Sequence, residues 1–200
     1  MCYHTKQTAD KHKLQKRFNA GLIQADEKDL QKEHFNGFEF PQTPVITNAQ
    51  PDTIQLFHWG LLPSWASIDH RLHTLNAKIE TLYEKASFKE VLHQKCLVLL
   101  TGFYEWQWLD NKGKRKQQYL LHLPDDEPFA LAGLWSEWKN QDGTSRQTYT
   151  ILTTEARGIM REIHNSKLRM PVILDPTVER DWLEGRVKSR LHSGLMATPV

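Results

Sequence analysis

The chain has 200 residues, 39% of them hydrophobic, with seven Trp, eight Phe and five Tyr, which suits one domain with a substantial core and excludes a disordered segment. With 26 basic and 24 acidic residues the net charge is +2, which excludes a uniformly basic nucleic-acid coat protein but leaves room for a local basic groove. No apolar run approaches the roughly 20 residues that span a bilayer. MCYHTKQTADKHKLQKR also lacks the apolar stretch of a secretory signal, so the expected location is cytoplasmic or nucleoid-associated, with no membrane partner.

Residues 2–5 read as a short strand, and Thr8 as the N-cap of a helix over 9–19 with Leu14 and Phe18 on one face. Residues 24–36 are charged and poorly patterned, a loop or loose helix, and GFEFPQTPVITN (37–48) is extended and punctuated by proline. A strand follows over 54–63. NAKIETLYEKASFKEVL (76–92) reads as one helix or two short ones. KCLVLLTGFYEWQWL (95–109), QQYLLHL (117–123), FALAGLWSEW (129–138) and QTYTILTTEA (147–156) are strands separated by the turn clusters DNKGK, PDDEP and NQDG, an antiparallel meander. A short helix near 156–163, a strand over 169–174 and a last helix ending at Gly185 complete the chain. The fold class is α+β: one domain, residues 1–200, with a curled, largely antiparallel, barrel-like sheet flanked by short helices.

Two cysteines, Cys2 and Cys96, with no CxxC pair, make neither a disulfide framework nor a zinc site. Asp69, His70 and His73 form a lone D-H-x-x-H with no further ligand set, so no metal and no cofactor are expected. Cys96 lies in an apolar run and reads as an inert buried thiol. Cys2 is different, because trimming of Met1 would leave a thiol and a primary amine on adjacent carbons. With ordinary pKa values of about 8.5 and about 7.7–8.0, both are nucleophilic near neutrality. An aldehyde would be attacked twice, first by the amine to give an imine and then by the thiol to close a five-membered thiazolidine. The competing reading of Cys2 is a residue of a frayed end.

Four segments, MCYHT at the start, WGLLPSWA at 59–66, LNAKIET at 75–81 and TGFYEW at 101–106, occur with a fifth, IHNSKLRMPVIL, at 163–174. In this order the chain resembles the SRAP (SOS response-associated peptidase) family, whose members crosslink covalently to abasic sites in single-stranded DNA. The resemblance implies a catalytic set of Cys2, Asn76, Glu105 and His164. Glu105 would act as proton shuttle, although a glutamate on a half-buried strand more commonly faces solvent. His164 would assist opening of the abasic sugar, and four residues, NSKL, separate it from Arg169 where many relatives have fewer. Asn76 reads equally as a helix N-cap, and the two roles are compatible.

The resemblance also implies DNA contacts at His4, Pro41, Trp65, Lys78, Thr153 and Arg169. His4 and Lys78 stand where family members carry arginine, which predicts weaker or more pH-dependent DNA binding. Trp59 is a third stacking candidate beside Trp65 and Pro41. Relatives often continue beyond LMATPV with another strand-like segment, so the sheet edge is expected to be covered differently here. The implied partner is single-stranded DNA bearing an abasic site, and the expected state is a monomer. The enzyme reading is lyase-like crosslinking, with removal of its own Met1 as a possible peptidase step. The alternatives are an N-terminal-nucleophile cysteine peptidase or amidohydrolase, with Asn76 in an oxyanion hole, and a non-covalent single-strand binder.

Overall fold

A computed structural model describes residues 2–23, 27–140, 142–186 and 194–200. The strands are β1 (His4–Gln7), β2 (Gly21–Leu22), β3 (Lys32–Asn36), β4 (Gln42–Thr47), β5 (Gln50–Trp59), β6 (Asn76–Lys78), β7 (Lys95–Leu100), β8 (Gly102–Trp108), β9 (Lys116–His122), β10 (Phe129–Lys139), β11 (Ser145–Glu155), β12 (Arg169–Pro171) and β13 (Met196–Pro199). The helices are short: α1 (Lys11–Phe18), α2 (Glu27–Leu30), α3 (Ala86–Lys89), α4 (Met160–Ile163) and α5 (Glu179–Leu183). No helix among the described residues is long and apolar enough to cross a membrane.

Strands β7, β4, β5, β11 and β10 hydrogen-bond in a closed ring, since β5 pairs with β11 at Thr148↔His58 and Tyr149↔Trp59. This barrel carries β12, β6 and β2 on its margins, and a second sheet of order β13-β9-β8-β1-β3 lies beside it. The fold is therefore α+β with a closed, mostly antiparallel barrel, as the meander pattern implies. Strand parity divides the core in two, because successive side chains point to opposite faces. Cys96, Val98 and Leu100 of β7 join Phe129 and Leu131 of β10 in one cluster, which also holds Cys2 and Phe103. Leu97, Leu99, Ala130, Ala132 and Leu134 face the other way, toward Leu14 of α1 and Trp182 of α5. Apolar side chains on both faces explain why these strands are continuous hydrophobic runs.

Several elements differ from the sequence expectation for identifiable reasons. Helix α1 starts two residues late because Asp10 is the cap, its Oδ1 accepting from the Lys13 N–H at 2.8 Å, while the Thr8 N–H donates to Thr101 Oγ1 at 3.2 Å. The charged stretch 32–36 is a strand, β3, paired with β1; residues 24–26 lie outside the described residues. The run 95–109 is two strands in two sheets, broken at Thr101, whose N–H donates to the Lys6 carbonyl at 2.9 Å. Asn76 is not a helix cap: it opens β6, which lies parallel to β11 with Asn76 opposite Ile151. The LMATPV end itself closes a sheet edge, β13 pairing antiparallel with β9.

Gly133 sits where β10 passes between β7 and β11, and a Cβ there would lie 2.7 Å from Cys96 Sγ and 2.8 Å from the Thr150 carbonyl oxygen. Gly133→Ala is therefore expected to destabilise the fold by about 1–3 kcal/mol, measured as a lower urea midpoint in tryptophan fluorescence. An unchanged midpoint would mean that the barrel wall is looser than these distances require.

Candidate active site

Cys2 is fully buried, 0% exposed, just ahead of β1. Its backbone carbonyl accepts a 2.8 Å hydrogen bond from Asn76 Nδ2. The amide is in place because the β6–β11 register fixes Asn76 opposite Ile151. The other end of the amide, Asn76 Oδ1, is buried with no hydrogen-bond partner among the described residues. It is an acceptor available to an amine or a sugar hydroxyl arriving beside Cys2.

Glu105 comes from β8. Alternation puts it on the same face as Phe103, and that face packs inward, so the carboxyl is 4% exposed rather than facing solvent. Burial raises it from an ordinary value near 4.5 to about 7. His164 caps the C-terminus of α4 and is 6% exposed. Its Nδ1 lies 2.7 Å from the Arg169 carbonyl oxygen and 3.2 Å from the Arg169 backbone nitrogen, which turns Nε2 toward Glu105. Burial lowers this imidazole to about 4. Nε2 and Glu105 Oε2 are 3.8 Å apart, too far for a hydrogen bond. With the imidazole neutral at pH 7 they form no ion pair. Burial drives the Cys2 thiol far above its ordinary value, and the nearby Glu105 charge pushes it further the same way. Glu105 and His164, with Tyr3 and His4, line one cavity of about 440 Å³.

The remaining sequence candidates are distributed around this centre. His4 is half-buried on β1 opposite Tyr104, with Nδ1 2.8 Å from His34 Nε2 and its ring 5.0 Å from that of Trp106. Burial lowers its pKa, and the neighbouring His34 adds to this. Lys78 is exposed at the end of β6, opposite Thr153. Thr153 is fully buried, its Oγ1 donating to the Ala77 carbonyl at 3.3 Å. Arg169 grips Glu80 with both terminal nitrogens, at 3.0 and 2.8 Å, and also donates to the Thr153 carbonyl at 2.8 Å. Pro41 is half-buried, its carbonyl accepting from the Trp59 N–H at 2.9 Å. Trp65 is 54% exposed and lines a separate hollow with Ser64, Ile68 and Trp138, its ring 5.0 Å from His70. Trp59 is 0% exposed, with its indole N–H donating to the Leu75 carbonyl at 2.8 Å, so it packs the core and offers no stacking face.

The structure thus brings Cys2, Asn76, Glu105, His164 and His4 together, while Trp65 lines a different hollow. One participant escaped sequence reading: His34 lies in the strand read as a loop or loose helix. Glu80, in the same segment as Asn76, suggests local hydrogen bonds by sequence, and in the structure it holds the distant Arg169. A glutamate two residues after a lysine that ends a strand carries no local signal of a partner 89 positions away. Among the described residues no group of three or more His, Cys, Asp or Glu could hold a metal ion.

The family model for SOS response associated peptidase (SRAP) matches residues 1–200, and the chain belongs to this family. It is 37% identical over 142 residues to abasic site processing protein YoqW of Bacillus subtilis, a match covering 70% of this chain and 61% of YoqW. Abasic site processing protein HMCES of Gallus gallus is 32% identical over 153 residues, covering 63% of this chain and 44% of HMCES. The match thus spans about three-fifths or less of these curated relatives. A Bacteroides thetaiotaomicron protein solved by X-ray crystallography superposes with a TM-score of 0.87 at 30% identity, covering 100% of this chain and 92% of that one.

The buried Glu105 has a stability signature. Its pKa in the fold, about 7, lies above its ordinary value near 4.5, so the native state holds the proton more tightly. Ionising it therefore costs stability progressively as pH rises from 4.5 to 7, and the full cost remains above 7. Glu105→Gln should raise Tm at pH 8 relative to wild type, and that difference should vanish toward pH 4.5. A Tm difference independent of pH would show that the carboxyl is not held protonated by burial.

Proposed function

We propose that this chain, once Met1 is removed, captures abasic sites in single-stranded DNA by forming a thiazolidine between Cys2 and C1′ of the sugar. Met1 lies outside the described residues. The observation that carries the proposal is the clustering of three groups: Cys2, tethered by Asn76 and close enough to Glu105 to feel its charge; the Glu105 carboxyl, which titrates near neutrality; and the His164 imidazole, whose Nε2 lies 3.8 Å from that carboxyl where both line one cavity.

The abasic sugar is mostly a closed hemiacetal. His164 Nε2 takes the O1′ proton and hands it to O4′ as the C1′–O4′ bond breaks, so the aldehyde is released with no net change in protons. The neutral Cys2 amine adds to C1′. Protonated Glu105 then gives its proton to the departing hydroxyl, which leaves as water, and an iminium remains. The Cys2 sulfur adds to C1′ and its proton passes to the Glu105 carboxylate. The balance is one water lost per adduct. A thiol kept protonated by burial suits this last step, because it gives up its proton only as the C–S bond forms. A peptidase nucleophile needs a thiolate, and burial, the largest influence on Cys2, opposes one. Running the same transfers backward gives slow release, and the adduct shields the lesion from β-elimination.

Phosphate contact falls to His4 and Lys78, with Trp65 and Pro41 as outlying stacking surfaces. Thr153 and Arg169 complete the proposed DNA contacts, with Arg169 oriented by Glu80 and by the Thr153 carbonyl. The proposed unit is a monomer.

Mixing mature protein with abasic single-stranded DNA should give a species resistant to denaturation, with a mass equal to both components less one water. Cys2→Ala should give none, and Glu105→Gln should slow its formation by about 10²–10⁴-fold. A wild-type protein that stays at its own mass, or an adduct that persists in Cys2→Ala, would contradict the proposal.

The histidine at position 4 adds a pH dependence. Burial and His34 hold its pKa below the ordinary histidine value, while Glu39 pulls the other way. Affinity for single-stranded DNA should accordingly rise as pH falls below the ordinary histidine range, and His4→Arg should bind more tightly and lose this pH response. Equal pH profiles for the two proteins, measured by fluorescence anisotropy, would remove His4 from the phosphate contacts.

A further inference from the structure

The cavity in front of Glu105 and His164 continues beyond the reacting groups, and its far wall takes no part in the capture chemistry. That wall is made by Trp108, Lys116, Ser166 and Lys167. Trp108 ends β8, and Lys116 opens β9 directly opposite it, with its ammonium 5.6 Å from the indole centroid. Ser166 and Lys167 belong to the NSKL stretch between His164 and Arg169.

Both loops that build the wall are pinned. Asn165 pairs with Trp108 like an added strand residue, its Oδ1 accepting from the Trp108 N–H at 3.0 Å and its Nδ2 donating to the Trp108 carbonyl at 2.9 Å. The Leu168 N–H returns to the His164 carbonyl at 2.9 Å, closing the loop. On the other side, Asp110 accepts from the Lys112, Lys114 and Arg115 N–H groups at 2.9, 3.1 and 2.7 Å. That turn carries Gly113 at φ +62, and a Cβ there would lie 2.5 Å from the Trp108 ring. The indole therefore rests on a glycine that leaves it room. Two ammonium groups, a hydroxyl and a braced aromatic ring share this cavity, and among the described residues Glu105 is the one carboxylate that lines it. An anion attached to a flat ring fits that set of groups.

We propose that this wall is a nucleotide subsite: Trp108 stacks a base next to the lesion on the same strand, and Lys116, Lys167 and the Ser166 hydroxyl take its phosphate. The inference rests on the capture reading above for the identity of the strand. It extends the contact surface to residues for which the family resemblance implies no DNA contact. The NSKL stretch then has a purpose, since it brings Ser166 and Lys167 to the cavity and ties them to the end of β8.

The test separates binding from capture. Single-stranded DNA carrying a tetrahydrofuran at the lesion has no aldehyde, so fluorescence anisotropy with it reads non-covalent affinity alone. For the mature full-length chain, the slope of log affinity against log salt should fall in magnitude by about 1.4 in Lys116→Gln/Lys167→Gln, two contacts at about 0.7 each on a single strand. Trp108→Leu should weaken binding roughly fivefold or more. Trp108→Phe, which keeps a ring over Gly113, should retain most of the affinity. Wild-type affinity and salt slope in the double lysine variant, or wild-type affinity in Trp108→Leu, would overturn the subsite. A wild-type protein that shows the lysine-dependent slope yet forms no covalent adduct with abasic DNA would keep the subsite and overturn the capture reading.

Discussion

The hydrogen bond from Asn76 to the Cys2 carbonyl is the constraint on which the site depends. A residue next to a chain end ordinarily frays, because few contacts offset the entropy of ordering it. Here the residue after Cys2 leads into β1, which is paired on both sides by β3 and β8, and the amide reaches it from β6 on the barrel margin. The bond thus joins the two sheets at the point where chemistry is needed. Strand β11 carries much of the rest: it holds Asn76 through β6, supports Arg169 through β12, and closes the barrel against β5. A shift of one residue in the β6–β11 register would turn the Asn76 side chain to the opposite face and free Cys2.

One physical cause, removal from water, shapes three reactive groups in different ways. It raises the Glu105 carboxyl into the neutral range, lowers the His164 imidazole well below it, and keeps the Cys2 thiol protonated. Each shift disfavours the charged form. The outcome at pH 7 is a neutral thiol, a neutral imidazole and a carboxyl balanced between its two forms, a set that fits the proposed dehydration and ring closure better than attack by a pre-formed thiolate. The contacts of Nδ1 with the Arg169 backbone complete this by fixing which imidazole nitrogen faces the carboxyl. Glu80 therefore matters at a distance, since it holds Arg169 whose carbonyl holds His164.

Much of this was legible from residue order. The strand-rich second half follows from alternating or continuous apolar runs cut by turn residues, and the family segments single out Cys2, Asn76, Glu105 and His164 before any geometry is known. What escaped was decided by tertiary pairing. NAKIETLYEK has helical composition, yet Asn76–Lys78 is a strand because β11 offers an open edge there. KEHFN has a charged, exposed face and so looks like a loop, but β1 pairs with it. Thr101 divides one apolar run between two sheets, which no local period reveals. Trp59 and Trp65 sit six residues apart in one motif, and only burial tells the core residue from the exposed one.

The central claim is that amine and thiol of one residue both end on the same sugar carbon. The most direct measurement is carbon NMR of the adduct between mature protein and single-stranded DNA whose abasic C1′ carries ¹³C. The account predicts a saturated carbon bonded to one nitrogen and one sulfur, with conversion lost in Cys2→Ala. A signal from an imine carbon, or from an unreacted hemiacetal in a sample that binds the DNA, would contradict it.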